Sequence, residues 1–584
     1  VRNAGTRELA AKVQGRVNGR ELGEKKVNLA PGEPKVVSWS LRVPMSGEDW
    51  AYEFEARSDD AIDKLRISQK LEPSLRESVV QGTLERLEGN IRFPVEKPRN
   101  SLPSVGGVSV RLEKSLAANL GGVRSYMQVY PYTCLEQKVS KSIVLRDESL
   151  WNQIMATLPS YMDSSGLLKY FPEALYGSDT LTSYFLSIAS ESGYTVPQEV
   201  LVKIVGGLQN FVSGKSYYAG FQYPAADLSI RKIAAMEALS RFGGFDPAYL
   251  GLIQIQPDLW PMRAVLDWAS LLKREKRIPG RETFFKEALK ILRSKIEWRG
   301  SVLGFKGGMK IWWLMNSMDE DANRLLLLAV EDESWKDEVG RLVRGVLART
   351  QGGHWDLTTA NAWGILAMER FSKKFEKDPV DGVSTVSFEG QKKNLKWKSA
   401  ETMAAGFSWP KSKTELSLTH SGAGNPWALI EGRAALVLDA PIFKGYRITR
   451  KLIPVEQKLK GKWSVGDVYR VSLEIEAPSD MTWVVLADPV PAGASVLGSE
   501  LGNDSELLTR GEKRKGWSYG YEERSFSGFR SYFEWLPKGT HKLEYTVRLN
   551  TSGTFSMPNT RVEAMYAPEM YAETPNDSMV VLSR

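Results

Sequence analysis

The chain has almost no cysteine and almost no histidine. One cysteine, Cys134, among 584 residues excludes a framework of internal disulfides. Three histidines, none before His354, leave little from which to build a His-rich metal centre. No run approaches the ~18 apolar residues of a membrane span; the longest obvious one is Leu325–Val330. No Gly-X-Y period runs through the chain, so it is not collagen-like. Nor is the charge one-sided. Lys and Arg number 78 against 70 Asp and Glu, a net +8, spread out except for small clusters such as Arg510–Lys515. That reads as a solvated surface rather than a nucleic-acid-binding stripe.

Apolar side chains are abundant. A hydrophobic fraction of 42% against 25% charged excludes wholesale disorder and supports large packed cores. At roughly 100–200 residues per domain, the length suggests about three to six domains. No signal peptide, acylation motif or processing site is seen at Val1, and the chain reads as a fragment of something longer.

The pattern changes character twice. Up to about residue 100 it reads as β: Lys35–Val43 and Trp50–Ala56 alternate apolar and polar residues, as half-buried strands do. Ser78–Phe93 is ambiguous, since Leu84–Glu88 also suits a helix. From about Leu102 to about Phe375 the period becomes helical. Met262–Leu272 and Val339–Leu347 each carry one apolar face, and Ala322–Val330 is apolar almost throughout. A glycine followed by bulky residues recurs before a helix rich in small residues, at Gly166, Gly220, Gly304 and Gly353. The helices that follow lie over Asp179–Ala189, Ile230–Leu239, Asn323–Val330 and Thr358–Met368. Such spacing suits repeated helical hairpins, stacked as an open solenoid or closed into a ring. From about Glu376 strands return at Val383–Phe388, Thr414–His420 and Tyr469–Glu476. They are separated by turn signals at Gly422–Pro426, Pro491–Gly493 and Gly502–Asp504, and suggest a sandwich. Helices set between β stretches allow one β domain to be split around an insert. Asp319, Glu320 and Asp321 read as a charged helix entry rather than the paired acids of a glycosidase.

The cysteine sits in Tyr130-Pro131-Tyr132-Thr133-Cys134-Leu135-Glu136-Gln137. Three readings compete. A lone cysteine is ordinarily a small buried hydrophobe. A catalytic thiolate wants a histidine partner, and none lies between Val1 and Gln351. The third reading is an internal thioester. A thiol and a carboxamide three residues apart, behind Pro131 at a helix start, share one face. The Cys134 sulfur can attack the Gln137 side-chain carbonyl and expel ammonia. Amines, hydroxyls and water all capture such an acyl group, so the bond lasts only where the fold keeps it dry.

Cys-Leu-Glu-Gln resembles the thioester motif of the α2-macroglobulin and complement family, and its frame Tyr-Pro-Tyr-x-Cys-Leu-Glu-Gln resembles the bacterial α2-macroglobulins. The resemblance extends over essentially the whole chain. It takes in Gly177–Tyr184, Gly353-His354-Trp355 with the following Thr-Thr-Ala-Asn-Ala, Ser421–Trp427, Ala487–Gly493 and Glu563–Glu569.

The resemblance implies a multidomain α+β fold. An α/α toroid thioester domain is inserted in a CUB-type β domain, and macroglobulin-like β sandwiches flank them. The expected divisions are 1–57, the end of a macroglobulin-like domain; 58–100 and 376–440, the halves of the CUB-type domain; 101–375, the thioester domain; and 441–584, a C-terminal macroglobulin-like, receptor-binding-type sandwich.

The function implied is covalent trapping of attacking proteases after bait cleavage and conformational change. Gln137 supplies the acyl group and Cys134 is the leaving group. That makes a single-turnover endopeptidase inhibitor rather than an enzyme, with no cofactor and no metal. Tyr130, Tyr132, Met565 and Tyr566 are the implied shields, with Met570 behind them. A complement-like acyl-imidazole route is disfavoured, because no histidine lies between Gln137 and Gln351 and His354 precedes a late structural helix. The implied partners are host or competitor proteases, bonded through lysine amines, and a periplasmic peptidoglycan synthase. No nucleic acid is expected, and a monomer is. The compartment is the periplasm, with inner-membrane anchoring through a lipid on an N-terminus outside this chain. The competing functions are a thioester-bearing surface-labelling or adhesive protein and a non-covalent scaffold with an unreactive motif.

Overall fold

The computed structural model describes residues 1–44, 49–59, 61–69, 71, 75, 77–102, 105–116, 120–215, 227–299, 302–305, 311–376, 379–397, 402–498, 519–525 and 527–583. The expected features at Gly220–Tyr223, Gly502–Asp504 and Arg510–Lys515 lie outside these residues. The chain divides into two compact units, Val1–Arg76 and Glu77–Arg584.

The first unit is an antiparallel sheet in the order Arg20–Leu29, Leu9–Val17, Trp50–Arg57, Ile62–Gln69. Its first hairpin turns through Asn18 and Gly19, both at positive φ, the Asn-Gly signature of a tight turn whose twist matches its strands. The alternating segment Lys35–Val43 is not a strand. Pro34 and Pro44 bracket it, and its apolar Val36, Leu41 and Val43 are exposed. Trp39 attaches it through side-chain contacts instead, stacking on Phe54 at 5.7 Å and donating its indole N–H to the Gly23 carbonyl at 3.2 Å. The edge expected at residue 57 falls inside this sheet, because Arg57 pairs with Ile62 at the turn into the last strand.

In the second unit a β sandwich is built from both sides of the helical region. One sheet runs Gln391–Trp397, Gly382–Phe388, Thr414–Ser421, Ile91–Val95. The other runs Thr402–Phe407, Gly107–Glu113, Trp427–Ala434, Ser78–Arg86. The ambiguous stretch at Leu84 is therefore strand, and Gly107–Glu113 lies beyond the edge expected at residue 100. Val110, Leu112, Val386, Leu416, Leu418 and Ile430 fill the space between the sheets. The chain leaves this sandwich after Glu113 and returns at Gly382. Loop-closure entropy grows only with the logarithm of length, so so long an insert is tolerated.

The insert holds the helices α1 (Gly121–Val129), α2 (Leu135–Leu145), α3 (Glu148–Thr157), α4 (Asp179–Ser192), α5 (Gln198–Val212), α6 (Leu228–Ser240), α7 (Met262–Arg274), α8 (Arg281–Ser294), α9 (Met318–Val330), α10 (Val339–Leu347) and α11 (Thr358–Phe375). α2 packs on α4, α4 on α6, α6 on α7, α7 on α9, α9 on α11, and α11 on α2 again. This order of contacts returns to its start. α9 is buried at every position from Asp319 to Val330, as expected of a helix with neighbours all round. Its first-turn acids are therefore not a solvated entry. Asp319 pairs with Arg349 at 2.6 Å, Glu320 with Arg263 at 3.4 Å, and Asp321 takes the Asn316 amide at 2.9 Å. The recurrent glycine has a reason at Gly166: its φ is +91° and a Cβ there would lie 2.4 Å from the Lys203 carbonyl oxygen.

The C-terminal part is a second sandwich. A six-stranded sheet runs Ile442–Lys444, Ala567–Thr574, Thr560–Ala564, Met481–Pro489, Gly528–Leu536, Tyr519–Arg524. It faces a four-stranded sheet of Arg447–Glu456, Val468–Ala477, Gly539–Leu549 and Ala494–Val496. Along Met481–Pro489 the alternation divides two cores. Val484 and Leu486 point into the sandwich, while Trp483 and Val485 join the core of the helical region. This strand reads as a nearly continuous apolar run because both faces are covered.

Candidate functional site

Cys134 is the residue at which α2 begins. It has extended dihedrals (φ −64°, ψ 166°), and Leu135 is the first helical position. Gln137 is thus the third residue of the helix. The two side chains form a capping box in which sulfur takes the place usually held by a Ser or Thr oxygen. The Cys134 sulfur faces the Gln137 backbone N–H, and the Gln137 Oε1 accepts the Cys134 backbone N–H at 3.1 Å. The spacing that satisfies two orphan amides at the helix end also sets thiol and carboxamide side by side. Gln137 Nε2 in turn donates to the Tyr130 hydroxyl at a long 3.5 Å.

The pair is dry. Cys134 is 0% and Gln137 2% exposed. Tyr132 is buried and Tyr130 half-buried, with the two rings edge-on at 5.5 Å. Met565 and Tyr566 form the two-residue tip of the hairpin joining Thr560–Ala564 to Ala567–Thr574. Such tips normally hold small polar residues in water, whereas here both side chains are buried in the same core as Cys134. Met570 does not stand behind them: it packs over Gly445 and the second sandwich's own core.

The cover has a second layer. Trp483 lies where the ladder is interrupted without a change of register: Thr482 and Val484 pair with Trp535 and Phe533, while Trp483 and Glu534 between them do not pair. The Trp483 φ of +51° is a conformation that costs a bulky residue about 1–3 kcal/mol. In return its ring lies 4.0 Å from that of Tyr170, whose carbonyl accepts the Leu135 N–H at 2.9 Å, inside the motif. Its carbonyl takes the Met565 N–H at 2.9 Å, so this distorted residue also braces the hairpin tip. Tyr532 packs on Phe171 at 4.8 Å and meets Tyr132 edge-on at 6.3 Å. Sequence reasoning did not single out Trp483, Tyr170 or Tyr532, since nothing local distinguishes them from ordinary core aromatics.

Glu136, between the two motif residues, is 0% exposed. It is held by hydroxyls from three elements: Ser140 on α2 at 2.6 Å, Thr358 on α11 at 2.8 and 2.9 Å, and Tyr566 of the hairpin tip at 3.1 Å. Ser140 is also within 2.6 Å of the Tyr184 hydroxyl on α4. Burial pushes the Glu136 carboxyl from its ordinary 4.5 up to about 7, although the three hydroxyls pull the other way. Burial likewise drives the Cys134 thiol well above its ordinary range, and the Glu136 charge adds to this. The thiol is therefore protonated, which argues against a resting catalytic thiolate. His354 stacks face to face on Tyr126 at 3.5 Å and sets Nδ1 2.7 Å from the Trp355 carbonyl oxygen. Burial lowers its pKa, leaving it neutral. Among the described residues no hydrogen bond joins it to Cys134 or Gln137, and no cluster of three or more His, Cys, Asp or Glu is arranged to hold a metal ion. No helix among them is long and apolar enough to cross a membrane.

Comparison with known proteins places this geometry among relatives. Residues 445–569 match the family described as the bacterial alpha-2-macroglobulin MG10 domain. An alpha-2-macroglobulin homolog of Nostoc sp. is 21% identical over 572 residues, which cover 90% of this chain and 29% of that protein. The alpha-2-macroglobulin of Rickettsia conorii is 22% identical over 504 residues, covering 81% of this chain and 25% of that protein. The chain thus spans under a third of the curated relatives it matches. Among solved structures, the native Escherichia coli alpha-2-macroglobulin from domain MG7 to the C-terminus aligns over 99% of this chain and 95% of its own, with a TM-score of 0.76 and 18% identity.

Proposed function

From this similarity to the C-terminal region of bacterial α2-macroglobulins, we propose that the chain is the thioester-bearing part of a protease inhibitor. Cys134 Sγ attacks Gln137 Cδ, the carboxamide nitrogen leaves as ammonia, and the acyl group is stored as a thioester. The observation that carries this reading is the buried capping box, with Gln137 Oε1 3.1 Å from the Cys134 amide nitrogen. A backbone N–H already aimed at the acyl oxygen polarises the carbonyl and stabilises negative charge that develops there.

The expected trigger is cleavage of a bait segment in the whole protein. The C-terminal sandwich then withdraws its hairpin, and a lysine amine of the protease attacks Gln137 Cδ. The C–S bond breaks, the sulfur takes up a proton, and an amide joins inhibitor to protease. Nothing regenerates the thioester, so each molecule acts once. Neutral His354, held on Tyr126, favours direct aminolysis over an acyl-imidazole. The closed order of helix contacts supports reading the insert as an α/α toroid. The two-sided sandwich, about 77–113 with 380–434, supports a CUB-type domain, and the flanking β units read as macroglobulin-like. The bacterial relatives favour a periplasmic setting.

Intact mass with and without methylamine, alongside thiol labelling, tests the proposal. A mass one ammonia below that of the sequence, an unlabelled Cys134, and methylamine uptake with release of a thiol are expected. A freely labelled Cys134 beside an unchanged Gln137, with no methylamine uptake, would overturn it.

A further inference from the structure

Away from the motif on α2, four other helices of the insert bring their C-terminal ends together. A recess of about 210 Å³ opens among the last turns of α4, α6, α7 and α9, which end at Ser192, Ser240, Arg274 and Val330. At ~30 Å³ of liquid volume per water, that is room for a small multiply charged solute. Arg241, Lys273, Arg274 and Arg324 line it, against two carboxylates, Glu191 and Glu331.

The carboxylates are already engaged. Glu191 takes Arg241 at 2.8 Å and Arg370 at 2.7 Å. Glu331 takes Lys273 at 3.1 Å and also pairs with Arg370. Behind the wall, Glu237 holds Arg241 at 2.7 Å, Arg274 at 3.3 Å and the Ser187 hydroxyl at 2.7 Å. Asp267 in turn takes Arg324 at 2.5 Å. Each guanidinium brings five N–H donors and each carboxylate about four lone-pair sites, so donors still exceed acceptors here. Trp363 forms part of the lining beneath the Arg324 guanidinium, at 5.0 Å, and its indole N–H finds no acceptor. Burial lowers the pKa of Lys273 and Arg274, whereas the carboxylates around Arg241 and Arg324 outweigh burial and raise theirs, so the under-compensated charge is that of Lys273 and Arg274. Helix C-termini attract cations, which accounts for basic side chains gathering here. It does not account for the open volume or the surplus of donors.

We infer that this recess is a binding site for a small oxyanion, a phosphate- or carboxylate-bearing molecule clamped by Lys273, Arg274 and Arg241. It is independent of the thioester reading, sharing no residue with the motif or its cover.

Isothermal titration of the chain with inorganic phosphate and, separately, with succinate tests the inference. Saturable binding of one anion per chain is expected. It should weaken by roughly tenfold or more in Lys273→Gln and in Arg274→Gln, since each removes one charge-assisted contact. Both side chains are about one-third exposed, and both partner carboxylates keep another cation, so the variants should fold; an unchanged Tm checks this. Phosphate binding alone assigns a phosphoryl ligand, and succinate binding alone a carboxylate. Absence of saturable heat from either anion, or binding equally strong in both variants, overturns the site and leaves the cations as neutralisers of the helix ends.

Discussion

On the proposed function, Glu136 makes the stability of the cover over Cys134 and Gln137 depend on pH, and the direction follows from its burial. With the hairpin docked, its carboxyl titrates at about 7; in water it would titrate near its ordinary 4.5. The docked state therefore holds its proton more tightly than the open state. Docking is strongest below pH 4.5, weakens as pH rises from there to about 7, and is level above. If opening put Glu136 fully in water, the shift would be worth about 3 kcal/mol at roughly 1.4 kcal/mol per unit, or roughly 300-fold in the opening equilibrium; Ser140 and Thr358 stay beside it when the hairpin leaves, so this is the ceiling. The charged groups facing Glu136 do not change the sign. Glu320 raises its pKa further, and the partners from α2, α11 and the hairpin are hydroxyls. Glu136→Gln removes the titration while leaving a side chain that Ser140, Thr358 and Tyr566 can still bond, because hydroxyls both donate and accept. The assay is the rate of methylamine-driven thiol release in the native protein and in Glu136→Gln, each from pH 4.5 to 8. Amine ionisation affects both alike, so the ratio of rates isolates Glu136. The ratio of native to variant rate should climb by up to about two orders of magnitude between pH 4.5 and 7 and then stay flat. A ratio that does not change with pH would refute the argument, because amine access would then leave Glu136 buried.

Three further outcomes are expected. Cys134→Ser keeps an oxygen at the capping position, so helix α2 should lose less than about 1 kcal/mol, while methylamine uptake disappears; denaturant unfolding and intact mass check the two halves. Met565→Ala removes a buried side chain from the hairpin tip and should cost about 2–5 kcal/mol of local packing, seen as faster methylamine reaction with little change in far-UV circular dichroism. Gly364→Ala would place a Cβ 2.2 Å from the Trp355 ring. Overpacking the α11 interface should destabilise the helical region by about 1–3 kcal/mol or more, read as a lowered Tm.

Much of the fold was legible because local pattern and tertiary environment agree. Val339–Leu347 carries one apolar face and forms a helix over those same residues. The β–helix–β order was legible from the change of period. Lys35–Val43 misled because alternation specifies a strand only where an edge is free to pair with it. Pro34 and Pro44 remove backbone donors at its ends, and Trp39 anchors it by side-chain contacts. Asp319, Glu320 and Asp321 misled for a different reason: three acids in a first turn suit a solvated helix start, and only the arrival of Arg349 and Arg263 from other segments, with Asn316 just ahead of the helix, makes burial tolerable. At the site, the nearness of Cys134 and Gln137 was legible because a capping box is local chemistry. Trp483 and Tyr170 were not, because their meeting depends on the docking of two domains and on a positive-φ residue within a strand that no nearby residue announces.

The hairpin tip can govern reactivity in two ways at once. Excluding water and amines is the obvious one. The second lies in the leaving group. The burial that drives the Cys134 thiol well above its ordinary range measures how poorly this pocket supports a thiolate. Aminolysis of a thioester must expel that thiolate, or a thiol protonated as it leaves, so a dry pocket slows the chemical step even for an amine that has entered. Glu136 sharpens the effect when ionised, since a carboxylate beside the sulfur opposes negative charge there. In the proposed mechanism, withdrawal of Met565 and Tyr566 reverses both terms together. Water reaches the sulfur, and the carboxylate loses the Tyr566 hydroxyl and gains solvent. On that proposal, a bond held inert by burial becomes reactive by the movement that exposes it, without a separate catalytic group having to be assembled.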